Sequence, residues 1–359
     1  MLDIEITEKV DAQVWNNLVR SVPEGTIFQT TYWADYLVNT GYCKPLFLIA
    51  RENQKYKGIL LFWIELLNTR TRCYRKSFRI LEFFSKKLKI KIGNWMFGPL
   101  MLDKKESVLV LKKILIEVNK FAKENNLVVI RNLAEPLDYT LRPPDKNVNE
   151  AYFSSEYKEK LKATVFLNLS RDIDSMWGGL KKKVREDVNK AKKHHITIGF
   201  IEKEELDTYK KLIIENTERV ATEFPPYYPD DNMWSALKKE ENCLEVIAIK
   251  QENKIIGAKG ILEFNGIIFQ IASCQSNGSY LNKMNVNDLM TWEVIRWGCN
   301  NNKRIYDLTG IPESPKNTKE KNLRHYKKKW SDNVIIYNGY ERICRKNTGA
   351  VINLLKKLI

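Results

Sequence analysis

Two stretches about two hundred residues apart carry nearly the same order of apolar and polar positions. They are FLIARENQKYKGILLFWIE (47–65) and EVIAIKQENKIIGAKGILEF (245–264). Each runs apolar, crosses a polar turn containing Glu, Asn and Lys, passes a glycine (Gly58, Gly257) and becomes apolar again, which predicts a β-hairpin. A Trp-bearing segment precedes each hairpin, TYWADYL around Trp33 and NMWSAL around Trp234. A long amphipathic pattern and a closing apolar strand follow each. In the first half these are KKESVLVLKKILIEVNKFAKEN and LVVIRNL; in the second they are NVNDLMTWEVIRWGCNN and KRIYDLTGI. The spacing suits a duplicated domain rather than a solenoid. Alternating helices and strands predict an α/β (α+β) sheet covered by helices in each copy. The expected domains are 1–145 and 151–340, joined through PPDKNVNE (143–150), with 341–359 a C-terminal helix on the body.

A third pattern begins at Asp172, DIDSMWGGLKKKVREDVNKAKKHH. Ile173, Trp177, Leu180, Val184, Val188 and Ala191 recur at helical steps, predicting one helix with one buried stripe. Its other face carries Lys181, Lys182, Lys183, Arg185, Lys190 and Lys193, only partly offset by Glu186 and Asp187. Such a face is either simply solvated or a surface for phosphates, on which lysines act as point charges. His194 and His195 close the pattern as a polar terminus, with no acidic partner near them in sequence.

Composition narrows the class. At 359 residues with 43% apolar content, two cores are expected. The formal charge of +16 favours a polyanionic partner, whether RNA, a nucleotide-linked substrate or an anionic membrane surface, against a background of solvated lysines. The start, MLDIEITEKVD, is too acidic for a signal peptide, and Glu65 interrupts the longest apolar run, GILLFWIELL. Six scattered cysteines without a CxxC pair read as reduced thiols of a cytoplasmic protein, and three histidines make a metal site unexpected. No cofactor is expected, and nothing demands more than a monomer.

The densest chemistry lies near the end. IYDLTGI (305–311) is an apolar strand ending in Tyr-Asp and a Gly-containing loop, and NLRHYKKKW (322–330) sets Tyr326 beside three lysines. Asp307 could orient or deprotonate an amine, or simply cap the strand end. Lys328 and Lys329 read as a solvated face. No Ser-His-Asp or Cys-His order stands out, so a covalent acyl-enzyme is not expected.

In this order, several segments resemble the FemABX family of aminoacyltransferases, which build peptide cross-bridges on cell-wall precursors. They are FQTTYWADY (28–36), FGP (97–99), Trp177 with LKKKVREDVNKAKK, ENTERVATEFPPYY (215–228), YDLTGI and NLRHYKKKW. The resemblance implies two tandem GNAT-like domains, here without the long helical hairpin that some members insert in the second. It implies transfer of an amino acid from aminoacyl-tRNA to a primary amine of a nucleotide- or lipid-linked peptide, with peripheral membrane contact if the acceptor is lipid-linked. It places Arg219 on the acceptor's phosphates and Lys327 at the position that meets the tRNA acceptor end. As a cation there, Lys327 could neutralise phosphate or the negative charge that develops near the ribose, making it with Asp307 the expected catalytic pair. Tyr326 stands where the family usually has Phe and keeps a surface for stacking a base. Tyr227 and Tyr228 form an aromatic loop for substrate, and Lys181, Lys182, Lys183 and Arg185 form the tRNA face.

For Arg219 a plain ion pair with Glu215 or Glu223 is the competing reading, and for the two tyrosines, packing. A lysine that some members carry in the first-domain Trp-Ala helix is not found here. Two other functions remain open. An acyl-CoA-dependent N-acyltransferase would carry a Gln/Arg-x-x-Gly-x-Gly/Ala loop, which neither GNWMFGPLMLDKKE nor SCQSNGSYLNKMNVND contains. A non-catalytic RNA-binding protein would need only the charge.

Overall fold

A computed structural model describes residues 2–66, 90–134, 136–137, 146–169, 172–220, 227–238 and 242–345. They divide into two units. Unit 1 takes the described residues up to Lys162 together with those from Ile336 onward, and unit 2 takes Ala163–Ile335.

In unit 1 the chain runs β1 (Leu2–Thr7), α1 (Ala12–Arg20), α2 (Thr31–Asn39), β2 (Cys43–Glu52), β3 (Lys55–Leu66), β4 (Lys91–Met96), β5 (Leu100–Met101), α3 (Ser107–Glu124), β6 (Leu127–Leu133) and α4 (Lys146–Ser154). Its last strand comes from the chain's far end, β13 (Val334–Ile343). The strand order is β1-β2-β3-β4-β6-β13, parallel only between β4 and β6, with the short β5 beside β3. Unit 2 begins within β7 (Lys158–Asn168) and continues through α5 (Ile173–Gly179), α6 (Lys182–Lys192), β8 (Thr197–Phe200), α7 (Leu206–Arg219), β9 (Leu244–Gln251), β10 (Lys254–Phe264) and β11 (Ile267–Gln275). It closes with α8 (Asn277–Leu281), α9 (Val286–Asn300), β12 (Ile305–Asp307) and α10 (Thr318–Lys328). Its strand order, β8-β9-β10-β11-β12-β7, repeats that of unit 1 and is parallel at the equivalent place, between β11 and β12.

The repeat holds down to single residues. Each hairpin has one register shift, just before Gly58 in β3 and just before Gly257 in β10. Each glycine admits a helix at close range. A Cβ on Gly58 would meet Val110 Cγ1 at 2.9 Å, and one on Gly257 would meet Val286 Cγ1 at 2.3 Å. In unit 2, alternation along the strands divides two apolar layers. Ile247, Ile249 and Ile261 face α6 and α9, whereas Val246, Ala248 and Ala258 join Tyr209, Leu212 and Ile213 of α7.

Three expectations need revision. The segment 143–150 is not a simple junction: α4 begins at Lys146, buries Ala151 and Tyr152, and stacks Tyr152 on Tyr340 at 3.7 Å. Unit 1 therefore continues to Lys162. Glu341, Arg342 and Ile343 are not helical, because Gly339–Ile343 pair residue by residue with β6. The rest of the expected C-terminal helix, 346–359, lies outside the described residues. The single helix from Asp172 is two, since Leu180 and Lys181 are extended after Gly178 and Gly179. Glycine loses the most freedom in a helix, and two in succession end this one. The stripe itself persists, with Leu180, Val184, Val188 and Ala191 all buried.

Candidate functional site at the parting of two parallel strands

Strand β12 pairs with β11 only over Ile305–Asp307 against Ile267–Phe269. Beyond that point β11 runs on through Gln275 with β10 alone on its side. Side chains of interest gather along this free length. Gln270 Oε1 accepts from the Tyr306 hydroxyl at 2.9 Å, Ser273 Oγ donates to Asn287 Oδ1 at 2.9 Å, and the Gln275 carbonyl accepts from Arg219 at 3.1 Å.

Asp307 ends β12 and is buried. Its Oδ1 accepts from the Thr164 hydroxyl and from the Thr309 amide, the latter at 2.6 Å. Burial outweighs these bonds and pushes the carboxyl up to about 6. Lys327, on α10, holds the same loop from the other side. Its Nζ donates to the carbonyls of Thr309 and Gly310, each at 2.9 Å. Burial lowers this ammonium to about 8, with Asp307 opposing the fall. Thr309 takes a left-handed backbone (φ 57°), which exposes its amide and carbonyl to the two partners. The expected catalytic pair is thus brought together across one loop, and Asp307 makes the strand-end cap that was its alternative reading.

Tyr326 turns its hydroxyl inward, 3.0 Å from the Asn287 carbonyl and 3.1 Å from Thr291 Oγ1. Its half-buried ring lies under the Lys329 ammonium, 4.7 Å from the centroid. Lys329 is not on a solvated face: it pairs with Asp288 at 2.5 Å, and Asp187 lies 3.9 Å away. Asp288 sits in the first turn of α9, where the helix dipole favours a carboxylate, yet burial still raises it above the usual carboxylate range.

The other expected residues lie apart from this cluster or spend their groups locally. Arg219 ends α7, donating to Gln275 O, to Asn277 Oδ1 at 2.7 Å and to Asn216 Oδ1, with its guanidinium 4.5 Å from the Tyr280 ring centroid. Glu215 accepts the Asn277 amide instead of pairing with Arg219; Glu223 lies outside the described residues. Tyr228 is buried among Tyr209, Val246 and Ala258, so its packing reading stands, while Tyr227 is half-buried. On α6 and just before it, Lys181 pairs with Asp332 at 3.1 Å, Lys183 with Asp187 at 3.0 Å, and Lys182 lies 4.0 Å from Glu186. Arg185 reaches the Gly178 carbonyl at 3.4 Å. Sequence reasoning missed Lys259, Asp288 and Thr164. Lys259 carried one signal: the repeat aligns it with a leucine, Leu60.

Two sheets of this strand order, each with one parallel pair at the equivalent place, define a tandem GNAT-type fold. Among solved structures, FemX superposes with a TM-score of 0.72 over 97% of this chain and 99% of its own, at 12% identity. L-PGS from Bacillus licheniformis gives 0.58 over 98% of both chains at 12% identity. A tandem GNAT protein from the clavulanic acid biosynthesis pathway gives 0.52 over 96% and 99% at 7% identity. At such identities the likeness is one of fold. No family model matches the sequence, and no curated protein does.

Proposed function

We propose that this chain is an aminoacyltransferase of the FemABX type, moving an amino acid from aminoacyl-tRNA to a primary amine of a cell-wall or envelope peptide precursor. The observation that carries the reading is the Tyr326–Lys327 element, tied by Lys327 to the loop that follows β12 where the two parallel strands part, and by Tyr326 to the Asn287 carbonyl of α9. A fold shared with FemX and L-PGS supports an acyltransferase.

In the reaction, the acceptor nitrogen attacks the ester carbonyl, the C–N bond forms, the bond to the ribose oxygen breaks, and the nitrogen's proton ends on that oxygen. Holding the amine against the carbonyl supplies much of the rate. Lys327, lowered by burial to about 8 and so able to carry or release a proton near neutrality, would meet the negative charge that develops on the leaving side. Asp307 holds the loop that Lys327 grips and, while ionised, keeps that lysine charged. The Tyr326 ring offers the terminal base a stacking surface. Arg219 would meet the acceptor's phosphates by exchanging its neutral amide and carbonyl partners for charged ones. The basic face at Lys181, Lys182, Lys183 and Arg185 would follow the tRNA backbone. On this reading the protein works as a cytoplasmic monomer, touching the membrane only if its acceptor is lipid-linked.

An acyl-CoA donor is the second reading, favoured by the tandem GNAT neighbour. Against it, the first turn of α9 already holds a carboxylate, Asp288, tied to Lys329. A pyrophosphate bound at that helix end would meet this charge. Competition between labelled aminoacyl-tRNA and acetyl-CoA for a muropeptide amine tests the choice. Consumption of acetyl-CoA with aminoacyl-tRNA left intact would overturn the proposal.

A further inference from the structure

Lys259 is fully buried, in the middle of β10. Aligned on Gly58 and Gly257, it corresponds to Leu60 of unit 1. The two positions are equivalent in register as well: Leu60 pairs with Leu48 and Lys259 with Ile247, each two residues past the glycine that follows the shift. Unit 1 fills the position with a buried leucine. The same sheet, under an equivalent helix, therefore accepts an aliphatic side chain there, and unit 2 has placed an amine instead. Burying an ammonium is costly, so packing does not account for the exchange.

The amine is connected. Lys259 Nζ donates to Thr291 Oγ1 at 2.6 Å, and Thr291 Oγ1 lies 3.1 Å from the Tyr326 hydroxyl. Both hydroxyls also reach the Asn287 carbonyl, at 2.9 Å and 3.0 Å. The charged groups facing Lys259 are Asp288 from α9, Lys327 from α10 and Lys329 just past the end of α10. Its cross-strand neighbours, Ile247 on β9 and Ser273 on β11, are neutral. Burial chiefly, then Lys327 and Lys329, lower this lysine to about 7 against the opposing pull of Asp288.

We propose that Lys259 is a positioning residue for Tyr326, setting the direction of the Thr291–Tyr326 hydrogen bonds and hence the seat of the ring that receives the donor's adenosine end. As an ammonium it donates to Thr291 Oγ1, and both hydroxyl hydrogens go to the Asn287 carbonyl. As a neutral amine it accepts the Thr291 hydrogen, and Thr291 Oγ1 then takes the Tyr326 hydrogen. The ring follows its hydroxyl. A phenylalanine at 326 would have no such tether. The ligand in this inference rests on the proposed function; the coupling between Lys259 and Tyr326 does not.

The test uses the full chain and the variants Lys259→Met, Lys259→Leu and Thr291→Val, each checked for fold by circular dichroism. Two quantities are followed across neutral pH: the Tyr326 ring resonances under selective tyrosine labelling, and affinity for a non-hydrolysable aminoacyl-adenosine amide. In wild type, both should titrate with a midpoint of about 7, and affinity should change several-fold. In all three variants the midpoint should vanish while the fold remains. A Tyr326 titration that survives in Lys259→Met and Lys259→Leu would overturn the proposal. If the adenosine amide binds wild type at no pH, the donor reading falls, and the ring titration alone decides the role of Lys259.

Discussion

Lys327 and Asp307 grip one loop from opposite sides, and that arrangement separates their structural from their chemical contributions. Lys327→Ala would remove the hydrogen bonds to the Thr309 and Gly310 carbonyls, at about 0.5–1.5 kcal/mol each. It should also lower kcat/KM for transfer by on the order of 10²-fold, as loss of a transition-state cation does. Thermal unfolding and single-turnover transfer read the two effects separately, and wild-type transfer by a destabilised variant would leave Lys327 a purely structural role. pH adds a second handle. Burial pushes Asp307 up to about 6 in the fold from 3.8 in the unfolded chain, so the folded protein binds this proton more tightly. Its contribution is full below 3.8 and is lost as pH rises through 6, a slope that Asp307→Asn should remove. Lys259 behaves oppositely: lowered from 10.5 to about 7, it gives stability that is present above 10.5 and lost as pH falls through 7. Lys259→Met should abolish that loss, measured as denaturation midpoints on both sides of neutrality. Asp307 and Lys327 were legible because strand end, glycine and lysines stand close together in sequence. Lys259 was not, because a single lysine inside GAKGILEF does not reveal which face of the strand it occupies. Asp288 and Lys329 were missed because their pairing joins two helices about forty residues apart.

Paired hairpins were the clearest structural statement in the sequence, and their glycines make it quantitative. Gly257→Ala drives a methyl against Val286 Cγ1, in the first turn of α9, and should cost about 1–3 kcal/mol through overpacking. Gly178→Ala meets nothing within 4 Å and fills a helical position, so it should stabilise by roughly 0.5–1 kcal/mol. Chemical denaturation of the two variants distinguishes the sites, and equal effects would contradict the close approach of α9 to β10. Periodicity alone joined α5 to α6, because the apolar stripe continues across the break while Gly178 and Gly179 interrupt only the backbone. Residues 341–343 misled in another way: short apolar-polar alternation near a chain end fits a helix or a strand, and only the partner β6 decides it.

Across the whole chain the charge of +16 sets the expectation for an anionic partner, but much of the basic face on α6 is already engaged. Lys181 and Lys183 each have a carboxylate at about 3 Å, whereas Lys182 is 86% exposed with its nearest carboxylate 4.0 Å away. Lys182→Ala should therefore reduce the salt slope of tRNA binding by about one, and Lys183→Ala by less. Equal slopes for both variants would return the whole face to simple solvation. The tandem architecture was readable because duplication repeats a pattern that chance rarely repeats, and the strand orders of the two units bear it out. The exchange of β13 into unit 1 was not readable, since no local pattern names a strand's partner.

The donor and the transferred group are both read from the intact mass of a muropeptide acceptor after incubation with the protein, aminoacyl-tRNA and acetyl-CoA together. An aminoacyl-tRNA donor should give a mass increase of one amino-acid residue on the acceptor amine, abolished by ribonuclease pretreatment of the tRNA. An acetyl increment that survives ribonuclease would contradict it.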